Sequence, residues 1–600
     1  MDVSQQERSS SFLHHTVTGA LHHPVQALIV LVFVVAVATR VVTGLQYRAA
    51  VSNQPQANSP RTVPILPYWI PWIGHGISFA AGGTTFLSAA ARSLGGNGSV
   101  YALWMANSKH NVVTVPSLAK QILMDRSSPI TMEDLIYHVM KTFWGDGGAI
   151  RAIDPAHLWG NIHGVLSGML RESFVTTAIK VTVDMVQERT WNMISGAVSP
   201  VDQSIWERQG NVEIVSKGKS DGDFVAEASL MPLIRYFVGD IATTVLFGKD
   251  FMENNPNIMP DLWQMDTRFN LFLTGAPSWF PGMAGPAKAR ERIVRAIDEH
   301  HQALFKYLDG QDPGPRWSDM SDVSSVMVDR ARAFRAAGSS PRGWATGNGA
   351  LLWTMNINSN AVIFWMVWYV FSTPSLLQEI RREIAPYVRL RQPAATGLPI
   401  EEQPKLEIDV AALWAKCPLL KGAFFEAMRL EAPSMSYKMV EDDFVVYEDE
   451  KDARNLGKKE PQSWLLKKGE LICIPHGVHQ SDEKYFRDPD RFDPRRFWAK
   501  ESQATEKGEN GHVNGAAEEE AEVRVEYKTM KVWGGGKQMC KGKTFAEREV
   551  VLFGAAIIMQ WDIEPVDNGG KWVHPGRIVG AGAMNPKRDV RVRMRRREGW

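Results

Sequence analysis

The stretch VWGGGKQMCKGKTFAE, residues 532–547, decides how this chain is read. Gly534, Gly535 and Gly536 lead to Cys540, and Gly542 follows two residues later. The 600 residues contain only three cysteines, Cys417, Cys473 and Cys540. So small and odd a number argues against a disulfide framework. Zinc requires several Cys or His ligands at short spacing, and nothing near Cys540 supplies them. A single thiolate can instead hold haem iron. Glycines let the backbone turn tightly and pass close to a flat macrocycle. The residues that follow, KGKTFAEREVVLFGAAIIM, have a helical pattern. Cys540 therefore lies at a helix N-terminus, where the dipole favours a thiolate. The alternative is a buried free cysteine in a turn.

Outward from the loop, composition sets the bounds. Hydrophobic residues make up 44% and charged residues 22%, as in ordinary globular proteins. A net charge of +1 gives no long-range field toward nucleic acid, and no nucleic-acid partner is expected. Residues 25–45, VQALIVLVFVVAVATRVVTGL, are apolar over about the 20 residues needed to cross a bilayer, with Arg40 able to snorkel to the interface. An uncleaved anchor is expected there, after a tail over 1–24; a cleaved signal peptide is the alternative. Pro64, Pro67 and Pro71 stiffen a linker over 46–76. Arg40, Arg48 and Arg61 at or beyond the end of the span favour a cytosolic body.

The catalytic domain is expected over 77–600 and is mostly α with a small β region. Helical patterns run over 154–189, 230–247, 287–308 and 350–371, and strand patterns over 99–104, 112–115, 444–447 and 470–475. Loops are expected at 218–223, 310–319 and 391–404. Residues 501–522, polar and poor in large apolar side chains, read as a disordered insertion.

The pattern W-G-G-G-x-x-x-C-x-G, Trp533 to Gly542, resembles the haem-binding signature of cytochrome P450 enzymes, which more often have Phe at the Trp533 position. Three further pieces follow that family's order. FFEAMRL carries Glu426 and Arg429, which at spacing three share a helix face. DPDRFDPRRF, residues 488–497, resembles the family's segment ending in Pro-x-Arg-Phe. HLWGNIHG places Trp159 and His163 at the spacing of the family's W-x-x-x-R. The resemblance implies the P450 fold behind one transmembrane helix. It also implies a haem ligated by Cys540 and framed by Trp533, Gly536 and Gly542, with a buried triad of Glu426, Arg429 and Arg496. Gln538 and His163 stand where the family commonly has arginines that pair with haem propionates; the resemblance leaves Trp159, His163 and Lys438 to share that load.

The central helix departs further. Where the family shows A-G-x-D/E-T-T, this chain has Ile357 at the acid and Asn358 at the first threonine, followed by Ser359. The pattern L-W-x-x-x-x-N-x-x-x-x-x-F-W resembles the branch of steroid 7α- and 12α-hydroxylases and prostacyclin synthase, and the Glu- and Gly-rich insertion fits a fungal-type member. Asn358 and Ser359 are the candidate catalytic residues. The resemblance implies a monooxygenase acting on a lipophilic steroid-, terpenoid- or polyketide-like molecule in secondary or lipid metabolism. Its partner would be NADPH-cytochrome P450 reductase, at the endoplasmic reticulum membrane with a cytosolic catalytic domain. Lys537, Lys541 and Lys543 offer charges to an acidic partner. Two alternatives stay open: an isomerase or dehydratase of a peroxide needing neither O2 nor reductase, and a non-catalytic haem-binding protein.

Overall fold

The computed structural model describes residues 24–52, 59–218, 223–392, 403–500, 523–580 and 582–597. Residues 1–23, the insertion at 501–522 and most of the loops at 218–223 and 391–404 lie outside the described residues.

The chain divides into two compact units. The first comprises residues 1–132 and 435–479. It begins with helix α1, Pro24–Ser52, whose apolar stretch is long enough to cross a membrane. The helix runs seven residues past the apolar segment that ends at Leu45, because Gln46 to Ser52 contain no breaker. Next comes the Pro-rich linker, where Tyr68 N donates to Thr43 Oγ1 of α1 at 3.2 Å. A five-stranded sheet follows, ordered Val100–Met105, Ser108–Val113, Leu471–Pro475, Met435–Val440, Ile130–Thr131. Its first hairpin turns on Ala106 and Asn107, both at positive φ (48° and 59°), the two-residue geometry that matches strand twist. A three-stranded sheet joins Arg61–Thr62, Ser463–Leu466 and Phe444–Tyr447.

The second unit, residues 133–434 and 480–600, holds most of the helices. The helix expected over 154–189 is not continuous. A wide-turn segment, Ala156–Ile162, gives way to His163–Leu166 and then to a tight turn, Ser167–Leu170. Arg171 is extended (φ −76°, ψ 137°) before α2, Glu172–Arg189. Gly160, Gly164 and Gly168, four apart, weaken the ladder along one side. Helix α3 is Leu230–Phe247 and α4 is Ser325–Ala336. Helix α5, Pro341–Asn356, opens on Ser340, whose Oγ accepts from Gly343 N at 3.2 Å, with proline in the first turn.

The long central helix also differs from expectation. It starts nine residues earlier, at Pro341, and breaks at Ile357–Asn358 before resuming as α6, Ser359–Phe371. The sequence N-I-N-S-N over 356–360 concentrates side chains that compete with the helical backbone for hydrogen bonds. All thirteen residues of α6 are buried, the signature of a helix apolar all round. It packs against α3, against α7 (Pro418–Glu431) and against α8 (Lys543–Gln560). A Cβ on Gly554 of α8 would lie 1.9 Å from Met366 Cε, so glycine permits the close α6–α8 approach. A four-stranded sheet, ordered Trp561–Pro565, Arg591–Arg596, Phe224–Ser229, Glu213–Lys217, closes this unit.

Candidate active site

The loop before α8 is shaped by its glycines. Gly534 and Gly536 take positive φ (70° and 59°), where other residues are strained. Cys540 N donates to Trp533 O at 2.9 Å and closes the loop, and Gly542 caps α8. Cys540 is exposed by area, yet the protein around it desolvates the thiol enough to raise its pKa. The backbone N–H groups of Gly542 and Lys543 and the charge of Lys541 pull the other way, toward the thiolate. The Trp533 indole reaches Tyr527, whose hydroxyl donates to Glu547 at 2.6 Å.

On the central helix, Thr354 and Asn358 are reachable although α6 is buried throughout and α5 largely so. They lie four residues apart on either side of the break in the helix. Asn358 is not merely turned back on its own helix: its Oδ1 accepts from Ala583 N at 2.9 Å. A Cβ on Gly582 would sit 2.2 Å from that oxygen. The hairpin that pairs Arg577–Ile578 with Asn585–Pro586 thus meets Asn358 through Gly582 and Ala583. Ser359, by contrast, is 8% exposed. Gly582→Ala should push the hairpin away and break this bond, costing about 1–3 kcal/mol. Chemical denaturation checks it, and Asn358→Ala combined with Gly582→Ala should cost less than the sum of the two.

The ionic triad is formed. Arg429 Nε and Nη2 donate to Glu426 Oε2 and Oε1 at 2.7 and 2.9 Å, and Arg496 Nε donates to Oε1 at 2.9 Å. Glu426 also accepts from Asp493 N at 3.1 Å. Remaining arginine protons go to carbonyls: Arg429 to Gln480 and Pro489 (2.7 and 2.6 Å), Arg496 to Arg487 (2.7 Å). Sequence reasoning missed a second buried carboxylate, Glu431. It accepts two bonds from Arg577 at 2.7 Å and one from the Tyr369 hydroxyl at 2.6 Å, tying the C-terminal hairpin to α7 and α6. Its signal was a second acid two residues after the E-x-x-R.

Trp159 and His163 are neighbours, ring centroids 5.6 Å apart. The Trp159 indole N–H is buried without a partner among the described residues. Burial, then the charges of Arg330 on α4 and of Lys541, lower the His163 pKa. Arg330 is itself 4% exposed and among the described residues bonds only neutral acceptors: Asn348 Oδ1, Ile162 O and Gly347 O. Its burial pushes its pKa down to about 10. An orphan donor beside cations that lack a counter-anion among the described residues fits a carboxylate-bearing ligand. Lys438 lies in the other unit, buried with its Nζ against Met132 Sδ. Burial alone lowers it to about 8, and it makes no ion pair among the described residues. Around the cysteine, Lys541 Nζ donates to Lys537 O at 3.0 Å and Lys543 lies 3.8 Å from Glu547, so two of the three lysines are partly engaged within the protein.

The profile of the family described as Cytochrome P450 matches residues 358–590. Cytochrome P450 monooxygenase efuG of Hormonema carpetanum is 23% identical over 589 residues, 95% of this chain and 97% of that protein. The 7-alpha-hydroxycholest-4-en-3-one 12-alpha-hydroxylase of Oryctolagus cuniculus is 25% identical over 335 residues, 55% of this chain and 58% of that enzyme. Among solved structures, retinoic acid-bound cyanobacterial CYP120A1 matches with a TM-score of 0.57, covering 90% of this chain and 100% of that one at 15% identity, a likeness of fold.

Proposed function

We propose that the chain is a cytochrome P450, a membrane-anchored monooxygenase of an apolar steroid-, terpenoid- or polyketide-like substrate, fed with electrons by NADPH-cytochrome P450 reductase. Its cofactor is haem with a cysteine thiolate on the iron. The observation that carries the site assignment is the Cys540 thiol, reachable yet desolvated, in a loop held open by two positive-φ glycines.

The residues fit the group. Cys540 would hold the haem iron through its sulfur, with the Gly542 and Lys543 N–H groups tempering its charge. Gly536, at positive φ, would let the loop pass close to the group, and Trp533 would flank it. The unpartnered Trp159 indole and His163, near Arg330 and Lys541, would receive the propionates. When bound, haem supplies an iron that activates dioxygen, and the thiolate pushes electron density toward it. Asn358 is no acid at neutral pH, so its part is to orient: its carbonyl oxygen is fixed by Ala583, and its amide N–H groups are donors. Helix α1 anchors the protein, which fits a substrate drawn from a lipid phase and a place at the endoplasmic reticulum membrane.

Reductase and NADPH in membranes should drive oxygen-dependent oxidation of a lipophilic library; efficient rearrangement of an organic hydroperoxide without reductase would instead support the isomerase reading, which the missing acid at Ile357 favours. Asn358→Thr should leave haem content unchanged and alter the hydrogen peroxide released per NADPH severalfold, because it removes both the orienting amide and the tie to Ala583. Pyridine haemochrome and peroxide assays measure the two.

A further inference from the structure

The charge of the chain is unevenly placed. Residues 8–124 contain seven arginines and lysines and no aspartate or glutamate, in a protein whose net charge is only +1. That stretch holds α1, the Pro-rich linker and the first hairpin of the five-stranded sheet. Lys109 finds an acid far along the chain, Glu470 at 3.0 Å, but neither Arg40 nor Arg48 of α1 has an ion pair among the described residues. These two arginines line a notch of about 360 Å³ between α1 and Pro67 of the linker. Val41 and Leu45 give the notch an apolar wall and Tyr47 a phenol. Gly44 leaves it open: a Cβ there would meet nothing within 4 Å. The walls are held in place. Tyr68 N donates to Thr43 Oγ1 and fixes the linker against α1. His75 N donates to Trp104 O at 2.8 Å and fixes the far end of the linker on the sheet. The Arg40 guanidinium lies 5.5 Å from the centre of the Trp69 ring, a contact that restrains it.

The level of the notch follows from the helix. About 20 residues cross the hydrocarbon of a bilayer, so a crossing that begins at Val25 ends near Gly44. Trp69, 55% exposed beside Arg40, suits that level, where tryptophan settles between hydrocarbon and water. Two guanidinium groups without a counter-anion, at headgroup height and above an apolar wall, match one kind of molecule. We propose that the notch binds an anionic phospholipid, with its phosphate held between Arg40 and Arg48 and an acyl chain laid along Val41 and Leu45. A choline headgroup would bring a further cation to the two arginines, so an acidic headgroup is favoured. The proposal rests on the membrane-anchored part of the reading above and is independent of the haem chemistry.

The test uses the full-length, haem-loaded protein in membranes of phosphatidylcholine with phosphatidylserine as the minor lipid, followed by native mass spectrometry of the released protein. After correction for abundance, wild type should retain a phosphatidylserine severalfold more often than a phosphatidylcholine. Gly44→Leu keeps both charges and fills the notch, so it should bring that preference down to the bulk ratio. Arg40→Gln combined with Arg48→Gln should do the same, and haem content should match wild type in both variants. Loss of the preference in the arginine variant but not in Gly44→Leu would mean a diffuse pull of two surface charges, and overturns the notch. Equal retention in all three proteins overturns it as well, and a retained mass of inorganic phosphate in place of lipid overturns the lipid assignment. A wild type that stays in carbonate-washed membranes yet shows no preference overturns the notch alone. A wild type that washes out of them overturns the anchored reading with it.

Discussion

Glu426→Ala should destabilise the protein by about 3–5 kcal/mol and sharply lower its haem occupancy. On an exposed helix, a Glu–Arg pair three residues apart contributes only a few tenths of a kcal/mol. Here the side chains of Glu426, Arg429 and Arg496 are 0%, 1% and 10% exposed. Removing the carboxylate leaves two guanidinium groups and the Asp493 N–H without their shared acceptor, in a place water does not reach. Little slack exists for repair, because α7 and the segment carrying Arg496 meet backbone to backbone: a Cβ on Gly422 would lie 2.4 Å from Pro494 O. Denaturant unfolding measures the first effect and haem content the second. A loss below 1 kcal/mol with full haem would remove the triad from the account.

Cys540→Ala should abolish thiolate ligation and all turnover, while Cys417→Ser and Cys473→Ala should leave both intact. The three thiols differ physically. Cys417 and Cys473 are buried, and burial pushes each up to about 12, so they are inert neutral thiols. Cys540 alone among them is reachable, with two backbone N–H groups and a lysine favouring its charged form. Haem iron, when bound, would hold it as the thiolate. Electronic absorption of the ferric state and NADPH-dependent oxidation check the three variants.

The parts of the site legible in the sequence are those whose chemistry is local. The cysteine loop needs its glycines within a few residues of the sulfur, and Glu426 with Arg429 needs one helix turn. Helix Leu230–Phe247 and strand Phe444–Tyr447 fall where their patterns placed them. The broken central helix was not legible, because half its cause lies 225 residues away, where Ala583 N reaches Asn358 Oδ1. The irregular stretch before α2 carried a signal that was passed over, the three glycines at 160, 164 and 168. The notch beside α1 was hidden for another reason: arginines at the end of a span ordinarily read as orientation signals, and only the return of the linker onto α1 shows two of them lining one space.

The central claim is the bond between the Cys540 sulfur and haem iron. The absorption spectrum of the freshly folded, reduced, carbon monoxide-bound protein tests it most directly. The account predicts the strongly red-shifted Soret band of a thiolate-ligated haem. A Soret band at the position given by a neutral histidine ligand, in protein that is folded and fully loaded, would contradict it.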